Sequence, residues 1–224
     1  MSLIKIEGVK KIYINKAGIE TPALRGVTLD ILPKDFCAIA GPSGSGKSTL
    51  LNILGALDKP SAGFVYYGDT EITGLPADRL ADFRLHKIGF VFQSYNLINT
   101  LTALENVEYI MLLQGVPAQE RRKRSQEILE RVGLAKEAQK FPNQMSGGQQ
   151  QRVAVARAMV SKPEIILADE PTANLDSKTS ESLLDLMMEL NRESDMTFVF
   201  STHDPMLMGK VQKLYILKDG EVQS

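Results

Sequence analysis

The stretch Gly41-Pro42-Ser43-Gly44-Ser45-Gly46-Lys47-Ser48-Thr49 decides how the rest of this 224-residue chain is read. Three glycines let the backbone turn so tightly that successive N–H groups converge, and a helix starting near Gly46 adds the positive end of its dipole at the same point. A phosphate chain fits such a cradle. Lys47 would reach the β- and γ-phosphates, and the Ser48 hydroxyl would bind Mg²⁺. The flanks agree: Phe36, Cys37, Ala38, Ile39 and Ala40 form a short apolar run suited to a buried strand, and residues 49–57 carry a helical pattern. A glycine-rich turn before an ordinary helix would explain the glycines, but not Lys47 followed by Ser48 and Thr49.

Composition sets the frame around that stretch. With 43% hydrophobic residues the chain suits one large α/β domain with a real core and a smaller lobe. A net charge of -1 leaves no basic footprint, so no nucleic-acid partner is expected. The single cysteine, Cys37, lies inside the apolar run before the cradle, where a buried, inert thiol is expected and no disulfide framework is implied. No apolar run approaches the roughly eighteen residues that span a bilayer, and the first residues lack a signal-peptide pattern, so the chain itself is expected to be soluble.

Upstream, Ile4, Ile6 and Val9 alternate with Lys5, Glu7 and Lys10 as a half-exposed strand, and residues 24–31 give a second; the two are expected to be antiparallel. Tyr13 follows the first strand. Its ring offers a flat face with a polar tip, fit either to stack on a nucleobase or to cap the sheet edge.

Downstream, a turn cluster at 58–63 precedes a strand at 64–67, a helix at 77–86 and a strand at 88–92. That strand ends at Gln93, which opens the irregular stretch 94–100. A glutamine at the C-terminal end of a strand can touch Mg²⁺ or an attacking water, or it can simply sit on a surface loop. Helices are expected at 102–114 and 118–132. The run Arg121-Arg122-Lys123-Arg124 reads as a solvated helix face, with Glu120/Arg124 and Glu127/Arg131 as i,i+4 pairs.

A second glycine-rich loop, Ser146-Gly147-Gly148-Gln149, precedes a helix-prone stretch, 153–160. It suits an anion but has no lysine, so it is half a site. It faces a nucleotide held by another copy of the chain, or its glycines merely cap the helix. Ile165-Ile166-Leu167-Ala168 then reads as a buried strand ending in Asp169 and Glu170, with Pro171 stopping it. Asp169 can hold Mg²⁺ and Glu170 can act as a base toward water. Asp176 precedes a helix at 179–191, a strand at 197–201 ends before His203, and residues 214–222 form a terminal hairpin. His203 either senses a γ-phosphate or is a polar loop residue.

Taken together and in this order, these motifs resemble the nucleotide-binding subunit of an ATP-binding-cassette (ABC) transporter over essentially the whole chain. The resemblance implies an α/β P-loop NTPase core with a mostly parallel sheet, an N-terminal antiparallel β subdomain, and a helical subdomain inserted at about 94–160 within one domain, 1–224. It makes Tyr13 the adenine-stacking aromatic, the 41–49 loop Walker A, Gln93 the Q-loop glutamine, Ser146 to Gln149 the signature, Asp169 and Glu170 the Walker B pair, Asp176 the D-loop acid and His203 the switch histidine. It implies ATP and Mg²⁺, a head-to-tail homodimer closed by ATP, an integral membrane permease as partner, and a peripheral place for this subunit at the cytoplasmic face of the inner (cell) membrane. Ile88-Gly89-Phe90-Val91-Phe92-Gln93 and Gly148-Gln149-Gln150-Gln151-Arg152 look like the lipoprotein-releasing and macrolide-export branch. Met145 replaces the usual signature leucine, and Pro33-Lys34-Asp35 lacks a usual glycine. Two other classes share part of the pattern. A small-molecule kinase needs no second glycine-rich half site, and a DNA-repair ATPase of this superfamily needs a long coiled-coil insertion that is absent.

Overall fold

The structure is a computed structural model that describes residues 2–223. It divides into two compact units, one made of the residues up to Arg84 together with those from Thr197, the other running from Leu85 to Met196.

In the first unit, strands β1 (Ile4–Ile14) and β2 (Glu20–Ile31) pair antiparallel, with β4 (Ala62–Tyr67) on the far side of β1 and β5 (Thr70–Glu71) beyond it. The apolar spacing Ile4, Ile6, Val9 skips one position because the ladder shifts between Ile6 and Val9, where Gly8 takes φ 57°. One extra residue at a bulge restores the inward face, and all three side chains are buried. β1 is longer than the alternation suggests. It carries Tyr13 as a strand residue opposite Thr21, so Tyr13 is not in a loop after the strand.

β3 (Phe36–Ala40) runs parallel to both β8 (Thr197–Thr202) and β9 (Lys213–Lys218), and β9 turns back antiparallel into β10 (Glu221–Gln223). Every residue of β3 is buried, as a parallel strand covered on both faces requires. Phe36, Phe198 and Phe200 pack there with ring centroids 4.8 to 6.2 Å apart. Cys37 lies in this core, and burial pushes its thiol pKa up to about 12, which makes it inert. Helix α1 (Lys47–Leu54) follows the 41–46 loop and ends three residues earlier than the sequence pattern suggests, where Ala56 turns to φ 52°. Helix α2 (Ala77–Lys87) leads out of the unit.

In the second unit, β6 (Ile88–Val91) pairs parallel with β7 (Ile165–Asp169). α5 (Gly147–Met159) packs on β6, and α3 (Ala103–Leu113), α4 (Ala118–Arg131) and α6 (Ser177–Glu193) pack on α5. Leu104, Val107, Met111, Leu129 and Val153 are buried among them. Gly89 sets how close α5 can come to β6: a Cβ there would sit 2.4 Å from the Ala158 carbonyl oxygen. The α4 ion pairs differ from expectation. Arg124 donates to the Val160 carbonyl, Arg131 pairs with Glu193 at 2.5 Å, and Lys123 meets Glu127 at 4.0 Å. Packed helix ends offered Arg124 and Arg131 nearer acceptors than their own helix face did.

Candidate functional site

In the first unit the cradle is built where β3 ends. Gly46, with φ 103°, caps α1, and a Cβ on it would lie 2.6 Å from the Ala23 carbonyl oxygen. A Cβ on Gly41 would lie 2.0 Å from the Leu217 carbonyl oxygen. Both positions require glycine, because the loop is pressed against neighbouring backbone. Gly44 differs: it has φ 80° with nothing within 4 Å of a built Cβ, so its glycine serves the turn alone. The loop is also tied from behind, where the Gly220 N–H donates to the Ser45 carbonyl at 3.1 Å. Lys47 is only 7% exposed, and its ammonium folds back onto the Gly41 and Pro42 carbonyl oxygens at 2.9 and 3.1 Å. A buried ammonium held by the loop it would share with a phosphate is a counter-charge already in place.

Tyr13 is 41% exposed, and its hydroxyl donates to Asp58 Oδ2 at 2.9 Å. Lys11 Nζ stands 4.9 Å from the ring centroid and donates to Asp58 Oδ1 at 2.6 Å and to the Lys59 carbonyl at 2.7 Å. Desolvation raises the Asp58 pKa, but hydrogen bonds from Lys11, Tyr13 and the Lys59 N–H outweigh it and hold the carboxyl below the usual range. The ring is thereby fixed at its polar tip and by a cation near its face. His203 is exposed just past β8. The turn is set on either side of it: Thr202 Oγ1 accepts from the Asp204 N–H at 2.9 Å, and Asp204 caps helix α7 (Pro205–Lys210) through the Met206 N–H at 2.9 Å.

In the second unit Gln93 is exposed two residues beyond β6, and its carbonyl accepts from Asn174 Nδ2 at 3.0 Å. The Ser146 to Gln149 loop is a capping box. Ser146 Oγ accepts from the Gln149 N–H at 3.3 Å, and Gln149 Oε1 accepts from the Ser146 N–H at 3.0 Å. The first-turn N–H groups of Gly147 and Gly148 then stand at the positive end of α5, with no intrahelical acceptor ahead of them. Asp169 ends β7 half-buried, and Glu170 follows at φ 45°, a left-handed turn rare for a side-chain-bearing residue. Asp176 caps α6: its Oδ1 accepts from the Thr179 N–H at 3.0 Å and its Oδ2 from the Thr179 hydroxyl at 2.6 Å. The Thr179 side chain and then its N–H hold the Asp176 pKa below the ordinary value.

The structure brings Tyr13, the 41–49 loop and His203 into the first unit, and Gln93, Ser146 to Gln149, Asp169, Glu170 and Asp176 into the second. Sequence reasoning missed three supports: Asp58 beneath Tyr13, Asn174 on Gln93, and Gln151, whose side chain donates to the Pro171 carbonyl at 2.9 Å just past Glu170. A signal existed for Gln151 alone, a polar residue that falls at 0% exposure on the inner face of α5.

A parallel β strand leading into a glycine loop, with a buried lysine at the start of the following helix, defines a P-loop nucleotide-binding protein. A profile of the family described as ABC transporter matches residues 24–173. An uncharacterized ABC transporter ATP-binding protein of Thermotoga maritima is 48% identical over 221 residues, covering 99% of this chain and 94% of the relative. The lipoprotein-releasing system ATP-binding protein LolD of Idiomarina loihiensis is 42% identical over 219 residues, covering 98% and 96%. Among solved structures, a dimeric post-hydrolysis state of the ATP-binding cassette MJ0796 bound to ADP and Pi superposes with a TM-score of 0.90 at 47% identity, covering 99% of this chain and 97% of the other. The chain belongs to the ABC transporter family, as an ATP-hydrolysing, ATP-binding subunit of a transporter. The kinase and DNA-repair alternatives fall away with that assignment. Among the described residues, no helix is long and apolar enough to cross a membrane.

Proposed function

We propose that this subunit powers a separate membrane permease for export or envelope lipoprotein release, working as a head-to-tail homodimer at the cytoplasmic face of the cell membrane. The reading rests on one observation above others: one chain carries a complete phosphate cradle with Lys47, and a second, lysine-free helix terminus at Ser146 to Gln149. The second completes the site of another copy. The dimeric cassette at 47% identity and the LolD relative support the same choice.

In this reading Tyr13 stacks the adenine, the amides of Gly41, Pro42, Ser43, Gly44, Ser45 and Gly46 bind the phosphates, and Lys47 turns from its carbonyl partners to the β- and γ-phosphates. Thr49 extends the cradle into α1. Glu170 accepts a proton from the attacking water, whose oxygen displaces ADP from the γ-phosphorus. His203 and Gln93 orient water and γ-phosphate, and Asp176 meets the second copy. Mg²⁺ would be held by Ser48, Gln93 and Asp169 and would neutralise developing phosphate charge. Among the described residues no group of three or more His, Cys, Asp or Glu is set for a metal, which fits an ion that arrives with nucleotide phosphates rather than one caged by protein. The permease would dock at the exposed apolar side chains of Ile98 and of Tyr109, Leu112 and Leu113, the last three spaced along one face of α3.

Complementation tests the shared site. Lys47→Ala should lose nucleotide binding in the monomer, and Ser146→Arg should bind nucleotide but fail to dimerise. Mixing them should restore one working site per heterodimer. Absence of recovery at every mixing ratio sinks the shared-site reading.

A further inference from the structure

Arg157 interrupts an apolar helical run in α5, Val153-Ala154-Val155-Ala156-Arg157-Ala158-Met159, in which the other six residues are buried. Its side chain is half-buried, and desolvation lowers its pKa from the ordinary arginine value. A cation so placed needs acceptors. Arg157 finds them in the loop after Gln93: Nη2 donates to the Tyr95 carbonyl at 2.9 Å and Nη1 to the Asn96 carbonyl at 2.5 Å. Both loop residues have left-handed backbones, φ 61° and 51°, in a turn closed locally by the Tyr95 N–H on the Phe92 carbonyl at 3.1 Å and the Asn96 N–H on the Ser94 carbonyl at 2.6 Å. That turn aims the two carbonyls of residues 95 and 96 outward, where the arginine fork takes both.

The same loop grips α5 at its other end. A Cβ built on Gly147, the first residue of α5, would lie 2.8 Å from the Tyr95 hydroxyl and 3.7 Å from its Cζ. Gly147 and Arg157 are ten residues apart, about 15 Å along a helix. The extended Arg157 side chain and Tyr95 together bridge that length, the Tyr95 carbonyl meeting the guanidinium at one end and its hydroxyl meeting Gly147 at the other. Asn174 holds the Gln93 carbonyl at 3.0 Å, so the four residues from Gln93 are anchored at both ends.

We propose that Tyr95 and Arg157 are positioning residues that fasten the Gln93 segment to the signature helix, so that the two move as one body. Gly147 is glycine, on this account, because Tyr95 occupies the space of a side chain. The consequence for turnover rests on the reading above, in which Gln93 and the signature both face nucleotide. A change sensed at Gln93 then reaches Ser146 and Gly147 through two rigid contacts, with no need for α5 to deform.

The test uses the full chain with Gly147→Ala, Tyr95→Phe, the double variant and Arg157→Lys, read by hydrogen exchange without nucleotide and by ATPase. Gly147→Ala should raise exchange roughly tenfold in both 93–97 and 147–150, since the added methyl drives the two apart. Adding Tyr95→Phe should return both segments to near wild type, because the nearest remaining ring atom is then at an ordinary 3.7 Å contact. Arg157→Lys keeps the charge but loses the planar fork, and should loosen 93–97 while the middle of α5 stays protected. The proposal is overturned if the double variant exchanges like Gly147→Ala, or if Arg157→Lys leaves 93–97 unchanged. If exchange recovers in the double variant but Gly147→Ala never lost ATPase activity, the fastening stands and the nucleotide-facing role of the signature fails.

Discussion

Ser146 holds two jobs that a pair of substitutions can separate. As the cap of α5 its hydroxyl accepts from the Gln149 N–H at 3.3 Å, and the Gln149 side chain returns the bond at 3.0 Å. Ser146→Ala removes the acceptor and should cost about 1 kcal/mol, or about a fivefold loss in the ordered first turn. For a chain of this size that is a fall of roughly 2–4 °C in melting temperature. Ser146→Asp caps as well as serine does and favours the positive helix end, so its melting temperature should match or exceed that of the wild type. Its charge, however, faces the phosphates of the second copy in the proposed dimer. Two like charges about 4 Å apart at an effective dielectric of ~20 repel by about 4 kcal/mol, close to a thousandfold in the closing equilibrium. Ser146→Asp should therefore be the more stable and the less active of the two, with ATP-dependent dimerisation lost in light scattering. Thermal melts and steady-state ATPase on both variants suffice. If Ser146→Asp hydrolyses ATP at the wild-type rate, position 146 meets no phosphate and the serine is there only to cap a helix.

Glu170→Gln should keep ATP binding and form a stable dimer with ATP and Mg²⁺ while turnover nearly vanishes, because the amide cannot accept the proton; a wild-type hydrolysis rate would remove Glu170 as the base. Gly89→Ala places a methyl 2.4 Å from the Ala158 carbonyl and should cost about 2 kcal/mol, a melting drop of roughly 4–8 °C; an unchanged melt would mean α5 can withdraw from β6 freely. Asp58 has a folded pKa below the ordinary 3.8, so its stabilisation is fully present above that value and fades as pH falls through the lower folded value; Asp58→Asn should flatten the acid-side stability curve, and an identical curve would refute the Tyr13–Asp58–Lys11 arrangement. Ile98→Ser with Leu112→Ser should lower permease-stimulated ATPase relative to the subunit's own basal rate; an unchanged ratio would place the permease elsewhere.

The parts of the site that sequence reading found are those whose geometry is made by side chains with a distinctive letter. Gly41 and Gly46 are legible because no other residue tolerates a backbone oxygen 2.0 to 2.6 Å from its Cβ, whereas Ser146, Gln149 and Asp176 were picked out by motif and the structure shows them capping helix starts, which need acceptors of their type. The same letters carry both the cap and the proposed contact, so a motif reading and a helix-capping reading of Ser146 agree on the residue and differ only on its use. The strand register around Gly8 was half legible: the skip from Ile6 to Val9 is visible, but the bulge that explains it exists only once β1 is paired. Tyr13 fell on the wrong side of a strand end for a related reason, since the pairing with Thr21, and not its own neighbours, extends β1 to it.

What stayed hidden is the set of contacts to backbone carbonyls. Arg157 on Tyr95 and Asn96, Arg124 on Val160, Gln151 on Pro171 and Asn174 on Gln93 all end on an oxygen that every residue possesses. No letter in the sequence distinguishes one such acceptor from another, so the donor can be suspected from its place in an apolar run while its partner cannot. Ion pairing shows the reverse error: Glu120/Arg124 and Glu127/Arg131 have the right letters at the right spacing, yet part-buried Arg124 bonds the Val160 carbonyl and exposed Arg131 pairs with exposed Glu193 on another helix, because i,i+4 pairs in solvent, worth about 0.3 kcal/mol, hold no arginine to its own helix. Sequence therefore proposes the candidate catalytic letters of this chain, whereas the contacts proposed to make them move together end on unlettered oxygens and emerge only from the fold.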